Sequence, residues 1–144
     1  MAGGMTTSEA IGVAALGEFS AFGYRRASIE GIARRAQMSR ATVYTHFSGK
    51  DELFRSLVSR LHDEHLAAMR EAADAPGLDV RSRITRLLQA RFLRFVELTS
   101  SSPHASEFYD RHDALCGDIS EDADRRAEKI ITTVFRRANA TGEI

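Results

Sequence analysis

Between residues 28 and 50 stand groups able to hold a polyanion and read its bases: Arg40, Thr42, Tyr44, Thr45, His46 and Lys50, with Ala41 among them and Ser28 at the start. An arginine can donate to guanine, and a threonine can reach a base edge or a thymine methyl. Tyrosine and histidine can hold phosphates. Lys50 stands just before a new helix, where its charge and that helix's free N–H groups would both attract phosphate.

Such groups read DNA only from a scaffold that fits a groove. In S-I-E-G-I-A-R-R-A-Q-M-S-R-A-T-V-Y-T-H-F-S-G-K, Ser28 can cap a first helix whose Ile29, Ile32, Ala33 and Ala36 recur as one apolar stripe. Gln37-Met38 interrupts the pattern, with Met38 as the apolar plug of a turn. Ser39 can cap a second helix over Arg40 to Phe47. There Val43 and Phe47, four residues apart, share an inward face. Ala41 and Thr45 fall opposite, with Arg40, Thr42, Tyr44 and His46 on the flanks.

The stretch A-R-R-A-Q-M-S-R-A-T-V-Y-T-H-F-S-G-K-D-E-L-F resembles the helix-turn-helix of TetR/AcrR-family transcriptional regulators. The likeness is good from Ile11 to Phe54 and holds only in helical outline beyond. It implies Arg40, Thr42 and Thr45 as base readers, Ala41 against a thymine methyl, and Tyr44, His46, Lys50 and the cap Ser28 as phosphate clamps. It also implies a repressor that binds a pseudo-palindromic double-stranded DNA operator as a homodimer and answers to a small-molecule effector. That effector would move the Asp51–Ala73 helix and change the spacing of the two heads.

Three departures from the family pattern stand out. Gln37-Met38 replaces the usual Gly-Val of the turn, so a left-handed backbone there would strain Gln37. Thr6-Thr7-Ser8-Glu9 carries no basic arm for the minor groove. Glu30 and Gly31 stand where some members place a groove-reading arginine, so an operator cannot be copied from relatives.

Charge distribution agrees with a nucleic-acid reader joined to something else. Residues 1–60 hold eight Arg/Lys against five Asp/Glu, a net of +3, and residues 61–144 hold twelve against fifteen, a net of −3. Cys116 is the lone cysteine, which excludes an intramolecular disulfide and fits a reducing compartment. No apolar run approaches a membrane span and no leader pattern opens the chain, so the expectation is a cytoplasmic protein with no membrane partner. Nucleophile elbow, P-loop and dinucleotide fingerprint are all missing, which argues against an enzyme and against a cofactor. His62 and His65 share a helical spacing; no paired Cys or further spaced His completes a metal site nearby, although His104 and His112 could come close in space, and His62 and His65 read as surface residues.

Helical periodicity continues throughout, without strand-like alternation, so the fold class is all-α. A first helix, capped by Thr6 or Thr7, carries Ile11, Ala14, Ala15, Phe19 and Phe22 to a stop at Gly23. With the two helices above it makes a three-helix head, packed through Phe19, Phe22 and Ile11. A helix from about Asp51 to Ala73 joins the head to a C-terminal helical regulatory bundle, with breakers at Ala75-Pro76-Gly77 and Ser100–Pro103. The expected division is a DNA-binding domain over 1–53 and an effector and dimerisation domain over 54–144. The two last helices usual in the family, which form its dimer interface, are not found before Ile144. Leu88, Phe92, Phe95, Phe108, Tyr109 and Val134 are the candidates for lining an effector pocket. Two alternatives stay open: a DNA-binding regulator without an effector, and a helical interaction module that has lost DNA binding.

Overall fold

The computed structural model describes residues 4–144. Its elements are α1 (Thr7–Arg26), α2 (Ile29–Arg35), α3 (Arg40–His46), α4 (Lys50–Asp74), α5 (Val80–Ser100), α6 (Ala105–Leu115) and α7 (Gly117–Thr141). The fold is all-α, and no strand occurs among the described residues. No helix among them is long and apolar enough to cross a membrane.

By packing, the chain divides into two compact units. One takes the chain up to Ser59 together with Ser102–Cys116; the other takes Arg60–Ser101 and Gly117–Ile144. This differs from a single cut after residue 53. Helix α4 contributes to both units, and α6 belongs with the head although it lies far along the chain.

In the first unit Thr6 caps α1 through its hydroxyl, and Glu9 reaches back to the Thr6 N–H in a capping box. Ile11, Ala15, Phe19, Ile32, Val43 and Leu53 are fully or almost fully buried. Gly23 leaves the helix at φ +78°, and this turn redirects the residues after it. Tyr24, not Phe22, therefore enters the core: Phe22 is 45% exposed and Tyr24 3%. Tyr24 stacks on Phe19 at 5.6 Å between centroids, and Phe54 meets both edge-on. Each such pair contributes about 0.5–1.5 kcal/mol beyond its buried area.

Helix α6 packs on α1. The Arg25 N–H donates to Glu107 Oε2 at 3.1 Å, and Glu107 lies so close to Gly23 that a Cβ there would come within 2.7 Å of the same oxygen. The Arg55 guanidinium donates to the Leu115 carbonyl. Cys116, at the end of α6, is fully buried.

The second unit closes around Leu66, Met69, Ala73, Leu87, Ala123, Ala127 and Val134, flanked by Ile84, Ile130 and Ile131. Arg83 holds the end of α4: its guanidinium donates to the carbonyls of Ala73 and Ala75 at 2.7 Å and of Leu78 at 3.1 Å. These acceptors lie at and beyond the last turn of α4, where a helix leaves its carbonyls without partners and a cation is favoured. Arg91 pairs with Asp124, and Arg137 with Asp74 at 2.9 Å.

His65 corrects the reading of both histidines as surface residues. It is 5% exposed, and neither ring nitrogen has a hydrogen-bond partner among the described residues. Its ring meets that of His62 edge-on at 6.2 Å. Burial, reinforced by Arg91 and Arg94 and opposed by Glu64, holds its pKa below the ordinary value.

Candidate nucleic-acid interface

Two short helices form the candidate interface, and each is started by a serine. Ser28 Oγ accepts from the Gly31 N–H at 3.0 Å, and Ser39 Oγ accepts from the Thr42 N–H at 3.1 Å. Between them the chain turns on Gln37, whose φ is +56°; it is the one non-glycine with positive φ among the described residues. The Met38 N–H reaches the Ala33 carbonyl at 2.9 Å and the Gln37 N–H reaches that of Arg34 at 3.1 Å. This is a Schellman ending, which places its C′ residue in the left-handed region. Gln37 thus carries the strain that the departure from glycine predicts.

Val43 and Phe47 are buried and hold α3 to the core, whereas Arg40, Ala41, Tyr44, Thr45 and His46 are exposed. A helix fastened by one face and open along the other presents its outer residues as a set. Thr45 Oγ1 donates to the Ala41 carbonyl at 2.9 Å, which fixes its rotamer and leaves the hydroxyl oxygen free to accept. Thr42 is half-buried, and its hydroxyl shares a 2.9 Å hydrogen bond with Ser39 Oγ. Its hydroxyl is therefore partly committed to the cap.

Two charged groups beside these helices lie otherwise than their sequence positions suggest. Lys50 is the first residue of α4 and its ammonium turns inward, donating to the Tyr24 carbonyl at 2.7 Å, to Ala27 at 3.3 Å and to Arg25 at 3.4 Å. Burial, and next the Arg111 charge, pull its pKa below the usual lysine value, with Glu107 opposing. Glu18, a carboxylate on α1, is 5% exposed and accepts from Arg35 Nε at 2.6 Å. Arg35 also lies over the Phe22 ring, 5.8 Å from its centroid. Sequence reading missed Glu18, whose one signal was a charged residue inside the apolar register of α1.

Glu30 is bridged to Arg34 at 3.4 Å across one turn of α2, and both are exposed. At the start of α4 the Ser48 N–H donates to the Glu52 carboxylate, and hydrogen bonds from the Ser48 side chain first and its backbone second hold the Glu52 pKa below the ordinary range. Together the two helices offer one basic, hydroxylated, aromatic outer face.

The candidate effector residues are spread over both units. Within the second unit Val134 is core, Phe95 is half-buried, and Leu88 and Phe92 are 47% and 55% exposed. Within the first, Phe108 is half-buried and Tyr109 is 45% exposed. In the second unit a cleft of about 260 Å³ is lined by Val134 with Val80, Arg83 and Arg137.

Residues 11–57 match the profile of "Bacterial regulatory proteins, tetR family". The chain is 32% identical over 77 residues to the uncharacterized HTH-type transcriptional regulator YhgD of Bacillus subtilis (strain 168), a stretch covering 54% of this chain and 40% of that relative. This chain thus spans less than half the length of that curated relative. Among solved structures it is similar to the TetR family transcriptional regulator PfmR from Thermus thermophilus. That match has a TM-score of 0.69 at 21% identity, covering 93% of this chain and 72% of the other. It is also similar to SmeT, the repressor of the Stenotrophomonas maltophilia multidrug efflux pump SmeDEF, with a TM-score of 0.63 at 24% identity over 95% of this chain and 65% of that one. Residues 11–57 thus match the family's head, and the all-α fold of the chain is similar to that of solved tetR-family regulators.

Proposed function

We propose that the chain is a sequence-specific DNA-binding repressor that docks α3 in the major groove and acts as a homodimer on a pseudo-palindromic operator. The observation that carries this reading is the two-sided build of α3, with Val43 and Phe47 buried and Arg40, Ala41, Tyr44, Thr45 and His46 exposed. Arg40 and Thr45 serve as base readers, with Ala41 against a thymine methyl. Thr42, tied to Ser39, serves through its methyl group as much as its hydroxyl. Tyr44, His46 and Ser28 hold the backbone, which sets register without reading sequence.

Homodimerisation supplies two heads for successive grooves, about 34–36 Å apart. The repressor sense follows the likeness to SmeT, named as a repressor. Response to a small-molecule effector is part of the same reading and rests on the family alone. The effector would act by differing in affinity for the DNA-bound and free forms.

Selection of bound sites from a randomised double-stranded DNA pool, followed by sequencing, tests this reading. Recovery of a two-fold symmetric site with half-sites one helical turn apart is the expected result. A folded protein that enriches no sequence would instead mark a helical module without DNA recognition.

A further inference from the structure

Lys50 sits where the family resemblance implies a phosphate clamp, yet its surroundings assign it another task. An ammonium has three N–H donors and no acceptor. Three carbonyls, those of Tyr24, Ala27 and Arg25, converge on Lys50 Nζ at 2.7, 3.3 and 3.4 Å. Its donor inventory is therefore full within the protein.

The acceptors lie where α1 ends. After Gly23 turns out of the helix, the carbonyls beyond it have no following helical N–H to meet. The negative end of the helix dipole also favours a cation there. The Tyr24 ring completes the seat, with Nζ 4.4 Å and the Arg111 guanidinium carbon 4.7 Å from its centroid. Such contacts strengthen where the cation is shielded from water. A phosphate could claim this ammonium only by leaving part-buried carbonyls unpaired, which costs more than one exposed phosphate contact returns.

We propose that Lys50 is a positioning residue for DNA binding: it ties the end of α1 to the start of α4, closes the stretch that contains α2 and α3, and spends no donor on DNA. The inference rests on the DNA-binding reading above. The tie spans 23 to 26 residues of chain, and everything from Ser28 to Phe47 lies inside it. Loss of the tie lets the reader helices shift together, so binding weakens on every sequence without any phosphate contact being lost.

Lys50→Met in the full chain separates the two roles through the slope of log affinity against log salt. The expected result is affinity lower by roughly tenfold at every salt concentration, a wild-type slope, and a melting temperature lower by several degrees. A slope shallower by about one per lost contact, with an unchanged melting temperature, would overturn the proposal.

If Lys50→Met does not fold, the unaltered protein still decides. It holds two lysines, Lys50 and Lys129, so nitrogen-15 spectra of the ammonium groups contain two signals. Slow exchange of the Lys50 ammonium protons without DNA, unchanged when DNA is added, is expected. Protection that arises only with DNA would overturn the tie. Absence of any DNA binding by the wild type would remove the functional role and the DNA-binding reading together, while ammonium exchange in the free protein would still report whether the tie exists.

Discussion

The Glu18 carboxylate fills the space beside Gly31 that any side chain there would need: a Cβ on Gly31 would lie 2.0 Å from Glu18 Oε1. The same carboxylate accepts from Arg35 Nε at 2.6 Å through its other oxygen. A residue on α1 thus meets both ends of α2, and glycine at position 31 is the condition for that fit.

Gly31→Ala should displace the Glu18 carboxylate from Arg35, a loss of about 1–3 kcal/mol offset by about 1 kcal/mol from the better helix propensity of alanine, so a small net destabilisation is expected. Urea denaturation measures it, and the double variant Glu18→Ala/Gly31→Ala should lose less than the sum of the single losses. Additive losses would show that the two residues do not share the space.

Gln37 stands at φ +56° in the turn between α2 and α3. Gln37→Gly removes a left-handed strain of about 1 kcal/mol, partly offset by the greater freedom of glycine in the unfolded chain. A small gain in the urea midpoint with an unchanged m-value is expected. A loss would mean that the Gln37 side chain holds the turn by a contact worth more than the strain.

Much of the candidate interface was legible in the sequence because its determinants are local. Serine caps, the four-residue spacing of Val43 and Phe47, and the missing glycine at position 37 all act within one or two turns. What was not legible depends on partners distant in sequence. Glu18 carries no sequence signal of its partner, because Arg35 stands 17 residues on and only the fold brings it alongside. Phe22 continues the apolar register of α1, but the turn at Gly23 places Tyr24 in the core instead. Lys50 looks free until the carbonyls of Tyr24, Arg25 and Ala27 close on it. The assignment of α6 to the head unit rests on contacts between segments some 82 residues apart, such as Arg25 with Glu107.

His65 gives the protein a predictable response to acid. Its folded pKa lies below the ordinary 6.5, chiefly because it is buried. Between the folded value and about 6.5 the unfolded chain binds more protons, so stability rises with pH across that window. This contribution is complete above about pH 7 and is lost as pH falls through 6.5 toward the folded value. Urea midpoints between pH 7.5 and 5 should fall more steeply for the wild type than for His65→Leu. Parallel curves would show that other groups govern the response.

The central claim is that α3 reads bases from its exposed side, and Arg40→Ala tests it most directly. Affinities of wild type and variant are compared on the selected site and on a panel with each base pair changed in turn, at fixed salt. The account predicts a loss of about 1–3 kcal/mol on the selected site and loss of discrimination at one base-pair position of each half-site, with the other positions read as before. An equal loss on every sequence, with the pattern of preference unchanged, would contradict it and leave Arg40 as one more cation near the backbone.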